Sequence, residues 1–176
     1  MKLTIQEPSA IDLTETYSHA PRVVWKKRQV TRRILIHDSH TSPFIENAED
    51  FLRNLGRKMG LLDLGYHAIV ERSGLVRETR DHGLIGSHAP GLNLDSIGIC
   101  LIGGMGATGP EDNFEHQQRA GLFLYMKRME TLYGELEIMG HSEKQRHLDA
   151  SYRCPALDMD MLRSDYKYFK DFGIIP

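Results

Sequence analysis

Two cysteines among 176 residues allow one disulfide at most, so a dense disulfide framework is excluded. Their settings also differ. Cys100 lies in the apolar run 97–102, where a buried thiol acts as a small hydrophobe, and Cys154 lies in a polar stretch just before Pro155. Charge of neither sign dominates: 22 Lys and Arg against 24 Asp and Glu leave a net charge of -2. That balance supplies no global basic field for nucleic acid. No apolar stretch approaches the roughly 20 residues needed to cross a bilayer. The N-terminal stretch has one Lys and no apolar h-region, so it is not a secretory signal. The expectation is a chain made in the cytoplasm and not inserted in a membrane.

Several motifs are missing too. HExxH and CxxC do not occur. Gly103-Gly104-Met105-Gly106 is followed by no Lys-Ser/Thr, so it is no phosphate loop and its glycines serve turns. Repeats and low-complexity tracts are absent, and no paired-carboxylate signal for glycoside cleavage stands out. One local basic run, Lys26, Lys27, Arg28, Arg32 and Arg33, reads as a solvated edge before a buried strand; a partner-binding strip is the alternative.

Hydrophobic residues make up 40 % and charged residues 26 %, which suits a single folded domain of this length. Residues 1–20 lack a sustained period and read as an arm; 21–176 form the domain. Ile34-Leu35-Ile36 is a short buried strand ending at His37. A helix is expected from about Pro43 to Met59, with Phe44, Ala48, Phe51, Leu52, Leu55 and Met59 on its apolar face and Gly60 as its stop. Two strands, 67–71 and 75–78, flank the hairpin signal Arg72-Ser73-Gly74. The clearest central strand is 96–102. A second helix runs from about Glu115 to Tyr133, buried through Phe123, Met126, Met129 and Leu132. A last strand, 135–139, leads to Gly140-His141. A third helix begins near Asp158, a good N-cap, and buries Met161, Leu162, Tyr166 and Phe169. The fold class is α/β: a single-domain mixed β-sheet with about three helices packed on it.

Nine histidines raise the question of a metal. His37, His141 and Cys154 each lie at or just past a strand end, where the backbone can aim a ligand. Two imidazoles and one thiolate would give zinc three protein ligands and an open fourth position, the catalytic pattern. From the residues alone, an ordinary strand-end role for His37 is the favoured reading. Tyr66 is a core tyrosine or a hydroxyl donor. His67 points into the core as a neutral, hydrogen-bonded ring. His88 and Asn93 line a substrate groove or belong to a plain surface loop. Cys100 is structural.

From Arg22 to about Asp158 the chain resembles the small zinc-dependent N-acetylmuramoyl-L-alanine amidases of short-tailed coliphages, whose superfamily includes the animal peptidoglycan recognition proteins. Three blocks carry the likeness. The first is Ile34-Leu35-Ile36-His37-Asp38-Ser39. The second is Leu61-Leu62-Asp63-Leu64-Gly65-Tyr66-His67 with Gly86-Ser87-His88-Ala89 and residues 93–101. The third is Gly140-His141 with Cys154-Pro155. The resemblance implies the peptidoglycan recognition protein/amidase fold. It implies hydrolysis of the amide between N-acetylmuramic acid and L-alanine, with zinc on His37, His141 and Cys154 to polarise the carbonyl and activate water. It makes Tyr66 the group that orients the water or stabilises the oxyanion. Where the coliphage enzymes carry a catalytic lysine two positions before the cysteine, this chain has Tyr152, a second candidate catalytic group. The segment between His141 and Cys154 is also longer, so Lys144, Arg146, His147 or Arg153 could supply a cation instead.

The implied role is that of a phage endolysin, a monomer acting on the cell wall after release. Alternatives are a cytoplasmic amidase recycling wall fragments, a wall-binding module without metal, and an amidase that also binds a phage RNA polymerase. Cys154 argues against the first two, which typically lack that ligand.

Overall fold

The computed structural model describes residues 25–61, 63–144 and 153–176. The expected arm lies outside them. Five strands form one mixed sheet: β1 (Arg33–Asp38), β2 (Ala68–Val70), β3 (Val76–Glu78), β4 (Ser96–Leu101) and β7 (Glu137–Gly140), in the order β3-β2-β4-β1-β7. Only β2–β3 is antiparallel, closed by the expected hairpin; β2–β4, β4–β1 and β1–β7 are parallel. Two two-residue strands, β5 (Met105–Gly106) and β6 (Gly109–Pro110), pair in the glycine-rich loop. Helices α1 (Ala48–Lys58), α2 (His116–Tyr133), the single turn α3 (His141–Lys144) and α4 (Met159–Phe172) complete the described elements.

Strand alternation sorts the side chains. Ile34 and Ile36 of β1, Ala68 and Val70 of β2, and Ile97, Ile99 and Leu101 of β4 enter one large core, because successive residues face opposite sides of a sheet. Leu122, Phe123, Met126 and Met129 of α2 and Leu162, Tyr166 and Phe169 of α4 pack on them. Asp158 caps α4, its Oδ1 accepting from the N–H groups of Asp160 and Met161 at 3.0 Å. Leu132 and Met161, expected inside, are about half exposed.

The opposite face is thinner. Leu52, Leu64, Ile69, Cys100 and Ile102 form a small cluster, with Ile45, Ala48 and Tyr66 partly buried against it. Helix α1 starts at Ala48, five residues later than expected. Asn47, at φ 49°, is left-handed, a conformation Asn tolerates but a helix cannot continue through. The apolar stripe of α1 is not buried as expected: of its members only Leu52 is, while Phe44, Phe51, Leu55 and Met59 are exposed.

The basic run is not a uniformly solvated edge. Arg28 turns inward, Nη1 donating to Leu84 O at 3.0 Å and Ser96 O at 2.9 Å. Arg33 pairs with Asp95 at 3.0 Å. Among the described residues no helix is long and apolar enough to cross a membrane.

Candidate metal centre

The four parallel strands β2, β4, β1 and β7 end on the same side of the sheet, and two of them deliver the imidazoles. His37 is the fifth residue of β1, and His141 follows the last residue of β7. Since β7 pairs with β1 in parallel, Ile36 lies opposite Gly140, so the next residue on each strand is a histidine. Their ring centroids are 4.5 Å apart. Cys154 arrives from the segment leading into α4, and its Sγ lies 3.9 Å from His37 Nδ1. One donor atom from each of the three lies within 4.8 Å of the others. His37 and Cys154 are almost fully buried; His141 is partly so.

The cysteine is held by its backbone. Ser142 N–H donates to Cys154 O at 2.8 Å, and Cys154 N–H donates to Ser142 Oγ at 2.7 Å. Two residues on, Ala156 N–H donates to Asp38 Oδ2 at 2.7 Å. Asp38 Oδ1 accepts from His40 N–H at 3.1 Å. Asp38 thus ties the third donor to the strand that carries the first. Gly104 leaves room for it: a Cβ there would stand 2.4 Å from the Asp38 carboxylate. Burial pushes the Asp38 carboxyl up from its ordinary range, against the opposing bonds from Ala156 and His40.

Burial, reinforced by His88 and His141, holds His37 well below the ordinary imidazole range. Burial, with His67 and His141, does the same for His88. Both rings are therefore neutral at physiological pH, the form in which imidazole binds metals. Burial pushes the Cys100 thiol far up, opposed by its hydrogen bond with Tyr66. Cys100 and Cys154 form no disulfide.

A cavity of about 180 Å³ opens over this cluster, lined by His37, Tyr66, His88, His141 and the α1 residues Leu52 and Leu55 among others. Tyr66 meets His37 edge-on with centroids 5.1 Å apart. His88 shares the cavity, but its Nδ1 is turned to His37 Nε2 at 3.0 Å. Asn93 does not line the cavity. Its Oδ1 accepts from the N–H groups of His88 and Ala89, both at 2.9 Å, so the carboxamide holds the loop that carries His88. His67 is buried as expected: its Nδ1 accepts from Gly98 N–H at 2.9 Å, and its Nε2 reaches Leu84 O at 3.0 Å. Desolvation lowers it to about 4.

Tyr152, Arg146 and His147 lie outside the described residues, as does the side chain of Lys144. Arg153 Nη2 donates to Leu157 O at 3.2 Å, and Arg153 lines a different cavity, beside Glu143 and Arg163. Asp38, Ser142 and the His37–His88 contact carry no local sequence pattern that marks them as parts of the centre. Asp38 directly follows His37, yet its partner at position 156 is 118 residues away.

Comparison with known proteins gives the family and the fold. The family model described as N-acetylmuramoyl-L-alanine amidase matches residues 26–156. An endolysin of Enterobacteria phage K11 is 36% identical over 139 residues, covering 78% of this chain and 89% of that protein. Among solved structures, the N-acetylmuramoyl-L-alanine amidase LysC from Clostridium intestinale superposes with a TM-score of 0.67 at 17% identity, covering 82% of this chain and 91% of that one. Drosophila PGRP-LB gives 0.60 at 20% identity, covering 75% and 79%. At such identities these two structures speak for the fold alone, and the fold is the same mixed sheet with its helices.

Proposed function

The chain belongs to the N-acetylmuramoyl-L-alanine amidase family, and on that premise we propose that it is a zinc-dependent endolysin acting on peptidoglycan, with His37, His141 and Cys154 as the metal ligands. The carrying observation is the convergence of these three donors within 4.8 Å, although His37 and Cys154 are 117 residues apart in sequence. The donor chemistry fits. Two neutral imidazoles and a thiolate suit zinc, and three protein ligands leave one position open. When bound, zinc would act as a Lewis acid toward the amide carbonyl and lower the pKa of water.

The chain's own groups divide the remaining tasks. Asp38 and Ser142 keep the Cys154 backbone in place, so the thiolate need not be ordered during turnover. Tyr66 lies on the wall of the same cavity and is assigned the donor to the developing oxyanion. A phenol, with its ordinary pKa of about 10, keeps its proton at neutral pH and can give it as a hydrogen bond. The cavity is small and walled on one side by α1, which limits water around the reacting amide.

The test pairs metal analysis with product analysis. Freshly purified protein should contain stoichiometric zinc, and digestion of purified peptidoglycan should release new alanine amino termini. New reducing sugar ends in their place would mean a glycosidase, and full activity in zinc-free protein would remove the metal from the reading.

A further inference from the structure

His88 and Ser96 are buried, at 8 % and 0 % exposure, and neither belongs to the trio of donors. The Ser96 hydroxyl has a single proton, and Leu92 O takes it at 2.6 Å. Its lone pairs are then what faces His88 Nε2, 3.5 Å away. The contact is long, and only a protonated Nε2 could use it as a hydrogen bond. At its other end His88 meets His37, with Nδ1 and Nε2 3.0 Å apart. Two ring nitrogens this close need one donor and one acceptor. With the His88 proton on Nε2, its Nδ1 is the acceptor and His37 Nε2 is the donor. The lone pair of His37 is thereby left on Nδ1. That nitrogen is the one facing Cys154 Sγ at 3.9 Å.

We propose that Ser96 and His88 form a hydrogen-bonded relay that fixes the tautomer of His37 and presents its Nδ1 lone pair to the metal. The inference rests on the zinc reading above for its purpose, but the direction of the relay follows from the hydroxyl alone. The two ends make separate demands, a donor toward Ser96 and a lone pair toward the trio, and one assignment of protons meets both. Metal-bound histidines commonly have such an outer partner, which orients the ring and raises its basicity. Here the partner is a second neutral imidazole, not a carboxylate or a carbonyl.

The surroundings are built for the ring of His88. A Cβ at Gly98 would stand 2.4 Å from its Cγ, and one at Gly86 2.5 Å from its Cδ2. Neither glycine has a positive φ, so space and not conformation explains them. Asn93 fixes the His88 backbone from the other side. A residue that only filled this space could be replaced by another of its size; a positioning residue cannot lose its acceptor.

Histidine side-chain 1H–15N correlation spectra of zinc-free wild-type protein test the direction of the relay. The expected result is His88 protonated on Nε2 and His37 protonated on Nε2. A His88 ring protonated on Nδ1 would overturn the proposal. These spectra need no variant, so they decide even where a substitution prevents folding. Zinc affinity by chelator competition gives the second readout. His88→Leu occupies the space without an acceptor and should weaken zinc by about 10–100-fold. His88→Asn can place its carboxamide oxygen where Nδ1 stood and should recover most of that loss. Wild-type affinity in folded His88→Leu, or equal losses in both variants, would reduce His88 to packing and sink the relay while leaving the zinc reading intact. Wild-type protein that binds no zinc would instead overturn the zinc reading, with the tautomer result standing separately.

Discussion

Odd and even residues of the same strands lead to two unlike regions. On one side of the sheet Ile34, Ile36, Ile97, Ile99 and Leu101 meet the long helices α2 and α4 in a continuous apolar core. On the other, His37, His67, Gly98 and Cys100 meet one another, His88 and the short helix α1. The first face uses few side-chain hydrogen bonds, such as those of Gln118 to Val70 O and Ile102 O and of Tyr166 to Glu130, and gains mainly by area removed from water. The second buries imidazoles, a carboxylate and thiols, each of which costs free energy unless a partner is supplied. Its polar contacts are correspondingly dense, and its apolar cluster is small. Stability is concentrated on one side so that the other can carry reactive groups.

Substitutions should separate the two faces. The largest effect is expected from Cys154→Ser, which replaces a thiolate by a far poorer ligand. Zinc and activity should both be lost, while the urea midpoint of the metal-free protein should stay close to that of metal-free wild type. A collapse of the metal-free fold would show that the faces are not separable.

On the other side, Phe123→Ala removes a ring 1% exposed and should cost about 3–5 kcal/mol by denaturant unfolding. The folded fraction should still bind zinc. Loss of zinc from folded Phe123→Ala would break the division.

Protons probe the polar face. His67 is held at about 4, below its ordinary value of about 6.5. The unfolded chain therefore binds a proton that the folded chain refuses between those values. Stability from this group is fully present above pH about 6.5 and is lost as pH falls toward 4, a change on the order of 3 kcal/mol. Urea midpoints at pH 7 and 4.5 should differ less in His67→Asn than in wild type; equal slopes would show that His67 is not the group responsible.

Tyr66→Phe should slow turnover by roughly ten- to a thousandfold, since a lost oxyanion donor costs up to about 4 kcal/mol. Zinc content should be unchanged. Unaltered turnover would take Tyr66 out of the chemistry and make its bond with Cys100 a structural one.

The smallest effect belongs to α1. Met59 is 72% exposed, so Met59→Ser should change stability by no more than about 0.5 kcal/mol. A larger loss in thermal unfolding would mean that the thin face is better packed than its exposure indicates.

The apolar face was the legible one. Ile34-Leu35-Ile36, the run 97–102 and the 3.6-residue period of α2 announce themselves because burial repeats at the spacing of the element. Asp158 marks the start of α4 by the same local logic. Helix α1 misled because its stripe has the period of a core helix yet overhangs a cavity, and because nothing in 43–47 announces the left-handed Asn47. Arg28 misled because composition cannot distinguish a solvated guanidinium from one that ties Leu84 and Ser96 together. The three proposed metal donors stood out as residue types at strand ends, and the family likeness selected them among nine histidines. The partners that hold those donors were not visible: His37–His88 and Asp38–Ala156 join residues 51 and 118 positions apart, and such pairs leave no local pattern.

The staple between Ser142 and Cys154 bears on how this chain can vary. Its two hydrogen bonds pinch the chain shut at the points where it leaves and rejoins the centre, and Asp38 anchors the returning end independently. Lengthening a flexible loop between two such fixed ends costs only about 0.6 kcal/mol for each doubling. The segment that departs most from the coliphage pattern runs between these two ends. It is a natural place for an enzyme of this kind to diversify, and a natural place for an engineer to splice in a tag or a targeting peptide.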